Sequence, residues 1–78
     1  MGTYKILYAS QNYAFFAGAD SSHEFIIIEA LGSDFDINHI VTYDGITVFN
    51  KTLGEETYAI VQTETNEKGA IAFLRSIK

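Results

Sequence analysis

The residues whose spacing most resembles a chemical site are Asp34-Phe35-Asp36-Ile37-Asn38-His39. Alternating Asp-x-Asp-x-Asn opens a calcium-binding loop, because it sets hard oxygen ligands at regular intervals. Such a loop needs Gly at its sixth position and Glu at its twelfth; His39 and Gly45 stand there instead. These side chains are therefore expected to accept hydrogen bonds from nearby backbone amides in a turn. His23 and His39 are the only histidines and there is no cysteine, so a zinc site would lack recognisable further ligands. Ser21-Ser22 has no Gly-x-Ser-x-Gly context. Glu55, Glu56, Glu64 and Glu67 flank one stretch of alternating residues. Carboxylates facing each other across a cleft can do acid–base work, but at the ends of one strand they read as a solvated rim. Asn50-Lys51-Thr52 is a glycosylation sequon, which carries no meaning without a secretion signal. The expectation is a non-enzyme with no catalytic, cofactor-binding or metal-binding residue.

Aromatic residues are the other chemically suggestive set: Tyr4, Tyr8, Tyr13, Phe15, Phe16, Tyr43, Phe49 and Tyr58. They could form a stacking platform for single-stranded nucleic acid or a subunit interface, where Tyr and Phe are enriched. Charge separates the two. Ten acids against five bases give a formal charge of −5, and Lys5, Lys51, Lys68, Arg75 and Lys78 are scattered. Phosphate-binding surfaces cluster their cations, so the interface reading is preferred and no nucleic-acid partner is expected.

The elements that must carry these residues fit one domain over residues 1–78. A core of this size is marginal and often needs support from disulfides, metal or oligomerisation; only the last suits a chain without cysteine. The start lacks a basic segment followed by a long apolar run, and no run approaches the roughly 20 residues that span a bilayer. A cytoplasmic protein with no membrane partner is expected.

Glu24-Phe25-Ile26-Ile27-Ile28-Glu29-Ala30-Leu31 is the most apolar stretch. β-branched side chains favour an extended backbone. Phe25, Ile27 and Leu31 then share one face, and Ile26, Ile28 and Ala30 the other. Both faces are apolar, so one is expected to meet the core and the other a partner chain. Phe15 and Phe16 pose the same problem on their own strand. The interface candidates are accordingly Tyr13, Phe15, Phe16, Ile26 and Ile28, in a dimer or tetramer.

Strands are expected over 4–10, 13–18, 24–31, 39–43, 46–50 and 57–63. Gln11-Asn12 would turn the first hairpin, and Asp44-Gly45 the fourth-to-fifth as a type I′ turn with positive φ at both residues. Phe35 and Ile37 would anchor their loop in the core, and Glu29 would mark an edge or rim position. Ala70, Phe73, Leu74 and Ile77 fit helical spacing, while Ile71 and Phe73 fit a strand; a last short strand or a single helical turn closes the sheet. Six short strands with no room for crossover helices indicate an all-β fold, a small partly open barrel of SH3-like or OB-like type.

From Gly32 to Gln62 the chain resembles small bacterial β-barrel proteins of mobile genetic elements. The loop Asp34-Phe35-Asp36-Ile37-Asn38-His39-Ile40, the segment Asn50-Lys51-Thr52-Leu53-Gly54-Glu55 and Val61-Gln62 carry the resemblance. Many barrels lead into the strand with a Gly-Asp pair, where Asn38-His39 stands here. The resemblance implies no activity. The functional expectation is a self-associating binding module, with a protein partner besides its own kind. The alternatives are a single-stranded nucleic-acid-binding barrel and an acidic mimic of nucleic acid that inhibits a host enzyme.

Overall fold

The computed structural model of the chain describes residues 2–32 and 34–77. The strands are β1 (Gly2–Ala9), β2 (Phe15–Ala19), β3 (Phe25–Ala30), β4 (Ile40–Tyr43), β5 (Val48–Asn50), β6 (Glu55–Glu56) and β7 (Ala59–Thr65), followed by helix α1 (Glu67–Arg75). All seven strands pair antiparallel in one sheet of order β6-β5-β4-β1-β2-β3-β7, curled into a half-barrel. Register shifts between Ile6 and Tyr8 in the β1–β2 pair, and between Ile27 and Ile28 in the β3–β7 pair, mark irregularities that add curl. The two ends of the sheet approach each other where Thr57 donates to the Val48 carbonyl, by its N–H at 3.2 Å and its hydroxyl at 2.7 Å.

Alternation along the strands divides the apolar residues between two cores. Tyr4, Ile6, Phe16, Ile26, Ile28, Val41 and Val48 fill the inner face, with Phe35 of the β3–β4 loop packed among them. The Phe16 and Phe35 rings meet at 5.6 Å. Phe35 and Ile37 thus anchor their loop as the sequence suggests.

The outer face is covered by the chain's own helix. Asn66 caps α1, its side chain accepting from Gly69 N at 2.8 Å, with Glu67 in the first turn and Arg75 in the last. The i, i+4 pair Ala70 and Leu74 is buried against Ala17, Ala19, Phe25 and Ile27. Two alanines on β2 let the helix come close. Burying the Leu74 side chain contributes about 1.5–3 kcal/mol. Phe15 meets Phe73 with ring centroids 5.9 Å apart, and the Tyr8 hydroxyl donates to Glu67 at 2.9 Å.

Several expectations are corrected. The tail is a nine-residue helix, not a strand or a single turn. β3 lies between β2 and β7, so Glu29 is not on an edge strand; its carboxylate accepts from Gln62 Nε2. The first hairpin has a five-residue loop, 10–14, and not a two-residue turn. Asn12 Oδ1 accepts from Ala14 N at 3.0 Å and Ser10 Oγ from Phe15 N at 3.0 Å, so side chains complete what strand pairing would otherwise supply. In the β4–β5 loop Gly45 has φ 99°, while Asp44 is not among the residues of positive φ, which rules out type I′. Asp44 Oδ1 instead accepts from Ile46 N and Thr47 N at 2.8 and 2.6 Å, and Ile46 lies exposed in the loop, outside the strand.

Candidate functional site

The residues singled out as interface candidates fall in three places. Phe16, Ile26 and Ile28 are fully buried in the inner core, so they are core residues and not surface ones. Phe15 is half-buried beneath α1. Tyr13 sits in the β1–β2 loop at φ 57°, 53% exposed, its ring edge-on to Phe16 at 5.6 Å. The premise that a second chain must cover β3 is met within the chain, because residues 67–75 supply the missing layer.

The Asp34–His39 segment is a turn built on its own amides. Asp36 Oδ1 accepts from Ile37 N at 2.7 Å, and His39 Nδ1 accepts from Asp36 N at 3.2 Å. Asn38 adopts φ 73° and donates its N–H to the Ile6 carbonyl at 2.7 Å. A backbone N–H only donates, so Nδ1 is an acceptor and the Asn50 amide, 3.1 Å away, donates to it as well. Fully buried Asn50 also accepts from Leu53 N at 3.0 Å. His39 and Asn50 thus tie the β3–β4 loop to the β5–β6 turn. His23 is exposed, with φ 61°. Among the described residues no three His, Asp or Glu side chains are grouped to hold a metal ion.

Large apolar side chains remain exposed on the outside of the half-barrel, away from α1. Glu29 and Ile60 are cross-strand partners, and one step further the N–H of Leu31 donates to the Tyr58 carbonyl at 2.8 Å. Leu31 and Tyr58 are therefore neighbours beside Ile60, at 50%, 76% and 48% exposure. Phe49 follows Val48 at the junction that Thr57 closes, and it too is exposed. Tyr58, Leu31 and Ile60 form a stripe, and Phe49 is a further exposed apolar side chain on β5, opposite Glu56. The sequence contained a signal for part of it: Tyr58 and Ile60 alternate with the half-buried Ala59 and Val61. What placed Leu31 beside them is the β3–β7 register, which no sequence pattern states.

β7 ends the sheet, but its edge is not a plain template for another strand. The register shift beside Ile27/Ile28 leaves the Gln62 backbone without a register partner on β3. Beyond it Glu64 lies opposite the inward-facing Ile26. A bulge and an inward charge are two devices that discourage edge pairing. A partner at this side would be held by the outer side chains and not by strand addition.

Several further features are concave. A groove of about 530 Å³ lies between the end of β1 and the last turn of α1, lined by Ala9, Ile71, Leu74, Ile77, Gln11 and Arg75 among others. At the opposite end of β1, Tyr4 stands between two clefts, one bounded by Glu24 and Glu64 and the other by Asp20 and Lys5. Burial, and then the charges of Asp20, Glu64 and Glu24, raise the Tyr4 phenol above its ordinary 10.0.

Comparison with protein-family models, with curated proteins and with solved structures finds no match in any of the three.

Proposed function

We propose that the protein is a non-catalytic binding module that associates with a second copy of itself through the stripe Tyr58, Leu31 and Ile60 and the exposed Phe49. The observation that carries this reading is the exposure of three large apolar side chains as neighbours across β3 and the strand leading into β7. Monomeric soluble proteins seldom leave such groups contiguous, and aromatic residues at a patch centre are the usual anchors of an interface. A two-fold contact brings the same stripe from both copies together. A stable interface of this kind buries roughly 800 Å² per subunit. The reading includes kinship with the SH3-like or OB-like barrels of bacterial mobile elements, a cytoplasmic setting, and a further protein partner on the remaining surface.

The cations give no support to a nucleic-acid surface. Lys5 lies on β1, Lys51 in the β5–β6 turn, and Lys68 and Arg75 on α1, where the two share one shallow groove with Glu67; among the described residues no groove gathers more than these two.

Amide resonances followed through a dilution series from millimolar to micromolar chain test the proposal. Concentration-dependent shifts confined to Leu31, Phe49, Gly54–Gln62 and their neighbours are expected. Shifts centred on Tyr13, Phe15 and α1 would overturn this assignment of the surface.

A further inference from the structure

Charge is divided unevenly along the chain. Residues 1–66 carry nine acids against Lys5 and Lys51, a formal −7. Residues 67–78 carry Glu67 against Lys68, Arg75 and Lys78, a formal +2. The second segment is α1 and the residues after it. On α1 the side chains three and four positions from Lys68 and from Arg75 are the same two, Ile71 and Ala72, so no acid within the helix is spaced to pair with either cation. Glu67, the one acid of α1, accepts instead from the Tyr8 hydroxyl of β1 at 2.9 Å.

These cations border apolar concavities. The groove of about 530 Å³ between the end of β1 and the last turn of α1 is walled by Ala9, Ile71, Leu74 and Ile77, with Gln11 and Arg75 among its polar residues. A second, shallow groove of about 450 Å³ runs along the helix, lined by Lys68 and Ala72 and again by Ile71 and Arg75. The two grooves share Ile71 and Arg75, so they lie side by side. Lys68 and Arg75 stand seven positions apart, about 10 Å along the axis, with the apolar pair between them. A ligand that fills this surface carries negative charge at two places and apolar bulk between.

We propose that this face of α1 docks an acidic peptide segment of another protein, with leucine-type side chains entering the groove over Leu74 and carboxylates meeting Arg75 and Lys68. A guanidinium offers a carboxylate two parallel N–H donors, which makes Arg75 the better anchor of the two. The acidic remainder of the chain repels such a segment, so a helix of opposite sign also fixes where it lands. A bilayer fits less well, because Ala70 and Leu74 are packed on the sheet and α1 has no free apolar face to insert. The inference rests on the binding-module reading, whose further protein partner it gives a chemistry, but not on self-association, since the stripe lies away from α1.

The test titrates the full chain at low ionic strength and follows amide shifts. The probe is acetyl-Asp-Glu-Leu-Leu-Glu-Asp-amide. One control, acetyl-Asn-Gln-Leu-Leu-Gln-Asn-amide, keeps the shape without charge, and the other, acetyl-Asp-Glu-Ser-Ser-Glu-Asp-amide, keeps the charge without the apolar side chains. Saturable shifts confined to residues 8–11 and 67–77 are expected with the probe, and binding about tenfold weaker with each control. A chain carrying both Lys68→Gln and Arg75→Gln is expected to bind the probe about tenfold more weakly, with the amide pattern of the sheet unchanged. No saturable shift, either control binding as tightly as the probe, or binding unaltered in the double variant would each overturn the proposal. Chain held by phosphatidylglycerol vesicles but not by the probe would overturn it in favour of a membrane. Probe shifts centred on Leu31 and residues 54–62 would overturn this placement and leave the stripe standing, which the dilution series tests by itself.

Discussion

Single residues hold the loops of this protein, and the reasons are local. Asn50 joins two loops through its side chain, accepting from Leu53 N and donating to His39 Nδ1. Asn50→Ala removes both of these part-buried hydrogen bonds, and a loss of about 1–3 kcal/mol is expected in urea unfolding. Gly45 is different. A Cβ there meets nothing within 4 Å, yet φ is 99°, so Gly45→Val strains only the backbone. The expected loss is again about 1–3 kcal/mol, and unchanged melting would show that the loop relaxes around the substitution. Asp44 makes the same loop pH-dependent. Hydrogen bonds from Thr47 N and Ile46 N hold its carboxyl below the ordinary 3.8. A depressed carboxyl contributes stability above its unfolded value and loses it as pH falls through the folded one. Asp44→Asn keeps the accepting oxygen and removes the titration, so its stability is expected to fall less than that of the parent chain below pH 3.8.

At the scale of elements, α1 decides how the apolar strand is used. The sequence showed that both faces of β3 need cover, and this requirement is met. It did not show who covers the second face. Ala70, Phe73, Leu74 and Ile77 carried the helical period, but Ile71 between them also fitted a strand, and eight residues cannot arbitrate between periods. Asn66 as a cap, with Glu67 in the first turn, was the local clue that the segment is helical. The strands on either side were legible because alternation and turn residues agree there. The clefts beside Tyr4 were not legible at all, since they bring together residues distant in sequence. Two results follow from the helix. Leu74→Ala opens a cavity over Ala17 and Ile27 and is expected to cost about 2–5 kcal/mol in chemical unfolding. Ile26→Asp or Ile28→Asp puts a charge into the sealed inner core, so unfolding is expected in place of clean dissociation. A folded monomer from either variant would return β3 to the surface.

The whole molecule is an acidic half-barrel with an apolar stripe on one flank. Net charge of −5 opposes association, and the stripe gives it a place to occur, with Glu29 opposite Ile60 and Glu56 opposite Phe49 as the acids beside it. Ile60→Asp adds charge at the centre of the stripe without touching either core. Sedimentation velocity of the parent chain and of Ile60→Asp, at tens of micromolar, measures the consequence most directly. A parent dimer near twice 8.7 kDa and a folded Ile60→Asp monomer are the expected pair. A parent chain that sediments as a monomer throughout that range, or an Ile60→Asp chain that stays dimeric, would contradict self-association through this surface.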